Sequence, residues 1–353
     1  MEQHIRNILE GAATAPSGEN CQPWHVVVKD NSLEIYNVPE RDLSLYNVNQ
    51  LGSMTAHGAF LESLKIAASA EGLEARVRLF PDASQTTLVA LVDLVQADIS
   101  ADPLEKYLRI RATNRKLYDK APVDAAQYVL LKTAADSVAS VRTSFIDDQA
   151  QIKDLSDAFS LNERLLFENR ALHDFFYSHV RWTEEEDRRY KTGFFIKTLE
   201  LRGPQQPAFK LLRRWGLARF AARLGVSKQI AKDNAKTYAA SAVLAAFLVR
   251  QNLPEDFVHI GRAMQRFWLT STSLGLAVQP MTGVLFFMQR LQAESGQAFA
   301  SSQQALIRSS FARISSAFGA GGDTLAVVLR IGRAAAPSAR SSRFSVDEIV
   351  SEE

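Results

Sequence analysis

The sequence has a single cysteine, Cys21, among its 353 residues. One thiol cannot form an internal disulfide or a cysteine-rich metal site, and this composition agrees with a reducing cytoplasm. The chain also lacks any apolar stretch near the roughly 18 residues that a membrane-spanning helix needs. Its N-terminus shows no basic leader followed by an apolar run. We therefore expect a cytoplasmic protein.

The chain also lacks a strong excess of charge of one sign. Its 41 basic and 39 acidic side chains leave a formal net charge of +2, so no overall field favours nucleic acid or an anionic membrane. The six histidines include no pair at a metal-ligand spacing with a nearby acid, and the sequence has no zinc, Walker or nucleophile-elbow motif. We therefore expect no metal site and no nucleic-acid partner, and the overall charge does not favour a membrane partner.

Residues 16–24 form the most informative segment of the chain and read Pro-Ser-Gly-Glu-Asn-Cys-Gln-Pro-Trp. The segment lies between a helical pattern that ends at residue 13 and the apolar run 26–28. Prolines fix φ, glycine permits close approach of the backbone, and hydroxyl and amide groups supply donors and acceptors. We therefore predict a rigid ligand-binding loop. Its candidate contact residues are Pro16, Ser17, Gly18, Asn20 and Gln22. The alternative is a capped turn that buries Trp24.

An internal repeat organises the chain. Gly58 and Gly72 are 14 residues apart, as are Gly261 and Gly275, at an offset of 203. In both copies an apolar helical pattern ends near a glycine suited to a left-handed cap, and a β-rich run follows. Helix–strand alternation alone can also produce such echoes, so coincidence is the alternative. The repeat predicts two related α+β halves.

We place the first half at 1–105 and the second at 106–353, with a helical insert at about 155–236 in the second half. Each half has one polar segment that the other lacks. The loop at 16–24 follows the first helix of the first half, whereas Arg111, Thr113 and Arg115 precede the first helix of the second half. Guanidinium groups bind phosphate through paired, charge-assisted hydrogen bonds. The two halves therefore predict one complete site between them.

These segments resemble the nitroreductase family, whose flavin loop usually reads Pro-Ser-x-x-Asn-x-Gln-Pro-Trp. The presence of both segments in one chain resembles the fused, pseudo-dimeric Acg-like branch, with a helical lid insert. The resemblance implies a nitroreductase-like α+β fold and one FMN in a monomer that mimics a dimer. It also implies ping-pong transfer of two electrons from NAD(P)H to a small-molecule acceptor, such as a nitroaromatic or a quinone. No catalytic side chain is implied, because the cofactor does the chemistry.

The resemblance also implies roles for two later segments. Residues Pro280, Met281, Thr282 and Gly283 stand where the family has a turn whose N–H faces flavin N5. The C-terminal run at 340–350, with Arg340 and Arg343, is similar to the family's closing segment. The phosphate clamp implied is Arg111, Thr113, Arg115 and Arg343. For the pyrimidine end of the ring, Asn234 and Lys236 are candidates, placed just before a predicted strand at 238–249.

The insert leaves two questions open. Basic and apolar residues alternate over 209–223 as in an amphipathic basic helix. We favour a lid over the flavin, with the apolar stripe Phe209, Leu212 and Trp215 facing protein. A membrane-surface role is the alternative. A closed lid would also suit a second function, in which the protein stores or sequesters FMN with little or no turnover.

Overall fold

The computed structural model describes residues 1–293 and 297–352. The first half follows the order helix, two strands, helix, two strands. Its elements are α1 (Gln3–Ala12), β1 (Trp24–Lys29), β2 (Ser32–Asn37), α2 (Leu51–Ala70), β3 (Leu73–Leu79) and β4 (Leu88–Gln96). The 16–24 loop joins α1 to β1, which confirms the predicted helix–loop–strand order.

The second half repeats this order with additions. Its first elements are α3 (Ala125–Ala135) and β5 (Arg142–Ile146). After a long insert come β8 (Val243–Val249), α11 (Pro254–Ser273), β9 (Ala277–Pro280), α12 (Gly283–Ala293), α13 (Ser301–Ala317) and β10 (Thr324–Gly332). The helix α14 (Val346–Ile349) and the strand β11 (Val350–Glu352) follow.

The two main sheets have equivalent strand orders. The first runs β11-β1-β2-β4-β3 and the second runs β5-β8-β10-β9. All neighbouring strands are antiparallel except β1 and β11, which pair in parallel with Val26 opposite Val350. The first sheet is therefore mixed, whereas the named strands of the second sheet are all antiparallel, because the added parallel strand joins only the first. The matching orders confirm two related α+β halves.

The central helices α2 and α11 pack against each other between the sheets. Most of α2 is buried around its whole circumference, which is typical of a helix in the core of a larger protein. Both helices are followed by a glycine with φ of +71°, Gly72 and Gly275, as the repeat predicts. One hydrophobic core cluster includes side chains from both helices and both sheets, so the halves share a core.

The insert (147–242) occupies the place of the two-residue β1–β2 hairpin in the first half. It contains seven helices and one short parallel strand pair. These are α4 (Gln149–Phe159), α5 (Leu161–Glu168), α6 (Arg170–Ser178), β6 (Val180–Arg181), α7 (Glu184–Tyr190), β7 (Phe194–Phe195), α8 (Gln205–Leu212), α9 (Trp215–Arg223) and α10 (Val226–Tyr238). The insert therefore begins somewhat earlier than the predicted residue 155.

Two predictions about this region need correction. The strand predicted at 238–249 begins at Val243, because Tyr238 still belongs to α10. The basic amphipathic pattern at 209–223 forms two helices, α8 and α9, rather than one. The apolar stripe Phe209, Leu212 and Trp215 packs against the core of the second half, which confirms that it faces protein. None of the helices that the structure describes is long and apolar enough to cross a membrane.

Candidate functional site

Three arginine side chains from two distant parts of the chain gather beside the entry to the 16–24 loop. Arg111 and Arg343 donate hydrogen bonds of 2.6–3.1 Å to main-chain carbonyls of residues 13–15. Arg340 donates to the carbonyls of residues 109–110. Within the described part of the chain, none of the three pairs with an acidic side chain. We call these three residues the arginine cluster.

The arginine cluster has the electrostatics of an anion site. Burial, followed by the charges of Arg343 and Arg340, holds the pKa of Arg111 well below its ordinary value. Burial lowers the pKa of Arg343 to about 10, and the Arg340 charge adds to the effect. The Nε of Arg111 is buried and has no hydrogen-bond partner among the described atoms. The three like charges repel one another, and an anion bound between them would relieve this repulsion, so the cluster favours a bound anion such as a phosphate.

The predicted clamp is divided between two places. Thr113 pairs with Val278 of β9, which holds residues 111–115 beside that strand. Arg115 lies outside the arginine cluster, because it donates to a carbonyl and covers an aromatic ring within residues 194–198 of the insert. A fully extended chain advances roughly 3.3 Å per residue, so the backbones of Arg111 and Arg115 are at most about 13 Å apart.

The 16–24 loop is held by its own polar groups. Ser17 Oγ accepts from the Gln22 N–H at 3.0 Å. The buried Gln22 side chain donates to the carbonyls of Asn20 and Lys191 and accepts from the Phe344 N–H. Gln22 therefore fixes the loop to the insert and to the C-terminal segment, and both ends of its amide are already used by protein.

Of the other loop residues, some bond to neighbouring segments and others are partly or fully exposed. The Asn20 amide donates to the carbonyls of Lys191 and Ser342, which leaves its Oδ1 as an acceptor. Pro16 is half-buried and Gly18 is exposed, and a Cβ on Gly18 would make only an ordinary contact of 3.6 Å. Trp24 is fully buried. Burial of Trp24 is what the capped-turn alternative expected, so it does not separate the two interpretations.

The turn at 280–283 lies at the end of β9, two residues beyond the point where Thr113 pairs with that strand. The N–H of Met281 bonds to the neighbouring strand β10, and the carbonyl of Thr282 begins α12. The first N–H groups of a helix have no partner within the helix. A Cβ on Gly283 would lie 2.2 Å from Oδ1 of Asn162 in α5, so only glycine permits this contact with the insert.

The insert contacts each of the predicted segments. The Gly193 N–H donates to the Glu19 carbonyl at 2.7 Å, and the Thr198 carbonyl accepts from Arg115 at 3.2 Å. With Asn162 against Gly283, the insert lies against the loop, the arginine segment and the turn at once. This arrangement is what a lid requires.

Sequence reasoning missed several buried or partly buried polar side chains within the insert and where it meets the first half. Tyr46 donates to Asn162 Oδ1 at 3.0 Å, and Tyr238 donates to the Glu163 carboxyl at 2.8 Å. Burial raises the pKa of Glu163. Burial, followed by the charge of Asp42, raises the pKa of Glu19 to about 8. No local motif marks these residues, because their proximity depends on how the insert folds back.

Arg330 was also missed, although the sequence does contain a signal for it. It is the one charged residue in the apolar run 325–331, and it is fully buried. Its guanidinium donates to Gln279 Oε1 and to the carbonyls of Thr237 and Lys116. Arg330 therefore fixes the chain beyond Arg115 against β9 and the end of α10.

The candidates for the pyrimidine end of a flavin do not fit their predicted place. Asn234 and Lys236 lie within α10 instead of before a strand. Asn234 donates to a carbonyl of its own helix, and the exposed Lys236 pairs with Asp233. Among the residues that the structure describes, no group of three or more His, Cys, Asp or Glu side chains could hold a metal ion.

Sequence comparison gives two kinds of relative in Mycobacterium tuberculosis. The chain is 28% identical over 281 residues to a protein described only as uncharacterized, with 79% of this chain and 39% of that protein covered. It is 25% identical over 174 residues to the putative NAD(P)H nitroreductase acg, with 48% of this chain and 51% of that protein covered. The matches therefore span about two fifths to one half of these relatives. No protein-family model matches the chain.

The chain also resembles solved structures at low sequence identity. The FMN-dependent nitroreductase NfnB from Mycobacterium smegmatis, in complex with NADPH, is 14% identical with a TM-score of 0.39, and the match covers 69% of this chain and 95% of that one. A nitroreductase with bound FMN from Bacteroides fragilis is 8% identical with a TM-score of 0.36, and the match covers 69% and 94%.

Proposed function

We propose that this chain, which belongs to the nitroreductase family, binds one FMN where its halves meet and works as an NAD(P)H-dependent oxidoreductase. The observation that carries the proposal is the arginine cluster. Three guanidinium groups, of which Arg111 is buried, Arg343 half-buried and Arg340 exposed, gather without an acidic partner in the described chain. A phosphate with close to two negative charges would supply the missing countercharge.

The residues present fit such a phosphate. The Arg111 Nε is an unused buried donor, and Arg340 and Arg343 come from the C-terminal segment to the same place. We propose that these side chains hold the phosphate, and that Pro16, Ser17, Gly18 and Asn20 border the cofactor on the loop side. We also propose that 1–105 and 106–353 are the functional halves, in a monomer with one site.

Other residues would contact the flavin ring. Thr113 lies between the arginine cluster and the turn of Pro280, Met281, Thr282 and Gly283. We propose that the unpaired N–H groups at the start of α12 face the ring. Arg115 lies against residues 194–198 of the insert, and its charge suits the electron-rich edge of a reduced ring. When bound, FMN would accept two electrons from NAD(P)H and pass them to an acceptor such as a nitroaromatic or a quinone.

One observation favours the second candidate function, storage or sequestration of FMN. The insert contacts the loop through Gly193, the arginine segment through Thr198 and the turn through Asn162. If these contacts persist in solution, a nicotinamide could not stack on the ring. The two candidates therefore differ in whether the insert opens.

Both candidates are tested by one anaerobic experiment. Purified protein is reconstituted with FMN, mixed with NADH or NADPH, and followed by flavin absorbance. A reductase will bleach within seconds to minutes and recover when a quinone is added. A sequestering protein will retain FMN but stay oxidised. Failure to bind FMN at all would contradict both functions.

A further inference from the structure

The insert carries a local charge imbalance that the balanced total conceals. Residues 201–232 contain eight basic side chains and no acidic one. The rest of the chain has 33 basic and 39 acidic side chains, so it is net acidic. The eight basic residues are Arg202, Lys210, Arg213, Arg214, Arg219, Arg223, Lys228 and Lys232. None of them forms an ion pair with an acid in the described residues.

Large apolar side chains stand exposed among these charges. Leu217, Phe220 and Leu224 are 39%, 59% and 70% exposed. They are three and four residues apart along α9 and its end, so they share one helix face. Leu211 of α8 is 59% exposed. We call Leu217, Phe220 and Leu224 the outer apolar face.

The outer apolar face is distinct from the face that packs on protein. On α9, Ala218 is only 1% exposed, and Trp215 lies 5.2 Å from the ring of His173. On α8, Phe209 lies 5.0 Å from the ring of Tyr177. The helices are therefore already anchored to the protein by one side, and burial in this chain does not explain the apolar residues on the other.

We propose that the outer apolar face and its basic flanks dock on an anionic lipid bilayer. Such a surface offers both kinds of contact that the face can make. Leu and Phe side chains can enter the boundary between headgroups and acyl chains. Lys and Arg side chains can extend alongside them to lipid phosphates. A duplex nucleic acid would match the charge but would leave the exposed apolar side chains in water.

The docking surface belongs to the same insert that covers the candidate flavin site. A bilayer would therefore meet the protein on the insert side, while the two sheets stay in water. The inference does not rest on the proposed function, because the surface is complete without a bound cofactor.

The test measures binding to vesicles at low and moderate salt. Flotation with vesicles of mixed phosphatidylcholine and phosphatidylglycerol is compared with pure phosphatidylcholine vesicles. We expect binding only to the anionic vesicles, with an affinity that falls as salt rises. Replacing Arg213, Arg214 and Arg219 with glutamine should weaken binding about fivefold for each charge removed.

A matched pair of variants separates the apolar contribution from charge. Phe220→Asp with Leu224→Asp should weaken anionic vesicle binding by at least about tenfold. Val129→Asp with Leu130→Asp adds the same two charges at exposed apolar positions of α3, which are 62% and 51% exposed, and should leave binding nearly unchanged. Thermal unfolding checks that both variants fold.

Three results would overturn the proposal. The first is no binding to anionic vesicles at low salt by the folded wild-type chain. The second is an equal loss in both aspartate variants, which would mean that only net charge matters. The third is binding to duplex DNA or polyglutamate at least as tight as to vesicles and unaffected by Phe220→Asp with Leu224→Asp, which would identify a polyanion as the partner.

Discussion

Gly58 and Gly261 make the same contact from opposite sides of the helix crossing. A Cβ on Gly58 would lie 2.0 Å from the Val258 carbonyl oxygen, and a Cβ on Gly261 would lie 2.0 Å from the Thr55 carbonyl oxygen. Both the glycines and their partners are separated by 203 residues. Each residue thus makes the same contact in its own half as its equivalent makes in the other half, as in a twofold-symmetric interface.

The polar contacts of the crossing follow the same symmetry. Arg266 donates to Glu62 at 2.6 Å, and Gln265 donates to Ser63 at 2.9 Å. The offset of 203 exchanges these two pairs. One pair is ionic and the other is neutral, so the two pairs share a geometry but differ in chemistry.

We expect Gly58→Ala and Gly261→Ala each to destabilise the protein by at least about 2 kcal/mol, because the new methyl group must push a backbone carbonyl away. Chemical denaturation monitored by circular dichroism measures the loss. Alanine has a higher helix propensity than glycine, so the expected loss of stability arises from the close contact at the helix crossing.

Gly216→Ala is the control, since Gly216 lies in α9 and a Cβ there would have nothing within 4 Å. It should be neutral or stabilise by up to about 1 kcal/mol. Equal effects at Gly216 and at Gly58 would contradict the close helix contact.

Arg111→Ala should weaken FMN binding by about 2–3 kcal/mol, because it removes a charge-assisted bond to phosphate from a buried place. Riboflavin has no phosphate and should lose little affinity. Arg115 lies outside the arginine cluster, so Arg115→Ala should affect FMN and riboflavin alike. Titrations of the apoprotein followed by flavin fluorescence measure both ligands.

Arg109→Ala is the matched control, because the exposed Arg109 side chain pairs with Glu10 at 3.0 Å near the cluster. It should change neither affinity. If Arg111→Ala weakens the binding of FMN and riboflavin equally, Arg111 acts on folding and the phosphate assignment is incorrect.

Local signals in the sequence were sufficient for much of the fold. The glycines at 72 and 275 have the predicted left-handed φ, and the loop before Trp24 joins a helix to a strand. The bond of Ser17 Oγ to the Gln22 N–H lies within this short run, so part of the loop's structure is set locally. The equivalence of the helices α2 and α11 followed from the 14-residue spacing of glycines that both helical segments share.

Contacts between distant segments could not be read in this way. Nothing near Asn162 indicates that it lies against Gly283, and nothing near Lys191 indicates its bonds to Asn20 and Gln22. These contacts depend on the path of the insert, which replaces a two-residue hairpin. The error at Tyr238 has a local cause, because the connecting residues 239–242 are mostly small and apolar, like the buried strand β8 that follows.

The chain should bind one FMN and not two. The arginine cluster draws on residues 111, 340 and 343, and no second set of these segments occurs in the sequence. Flavin released by denaturation, measured against protein concentration and molar mass in solution, should give one FMN per monomer. A ratio near two would remove the argument that each half supplies what the other lacks.

Glu19→Gln should stabilise the protein more at pH 8 than at pH 5. Burial and the nearby Asp42 raise the pKa of Glu19 to about 8, while Arg115 acts in the opposite direction. The folded state therefore holds a proton that the unfolded state releases above about pH 4.5, and stability falls as pH rises through this window.

We expect the substitution to raise the free energy of unfolding by about 1–2 kcal/mol at pH 8. This is less than the full pKa shift would give, because Glu19 is only partly buried. Urea denaturation at the two pH values measures it. A gain of equal size at both values would show that the carboxyl proton is not involved.

Gly193→Ala should loosen the insert over the candidate site. Gly193 has φ of +87°, and a Cβ there would lie 2.1 Å from the His179 carbonyl oxygen. Its N–H also bonds to Glu19 of the loop at 2.7 Å, so the substitution strains the closed arrangement where the insert meets the loop. If the insert is a lid, reduced FMN should be reoxidised by oxygen roughly tenfold faster, the change that about 1.4 kcal/mol produces.

Gly225→Ala separates this contact from backbone strain. Gly225 has φ of +88°, nearly the same as Gly193, but a Cβ there would have nothing within 4 Å. Both variants suffer the left-handed strain of a non-glycine residue, and only Gly193→Ala also displaces a neighbouring carbonyl. Reoxidation in Gly225→Ala should therefore stay close to the wild-type rate. If both variants react at the wild-type rate while FMN stays bound, the contact between Gly193 and the loop does not control access to the flavin, and the lid must be sought in the contact between Asn162 and Gly283.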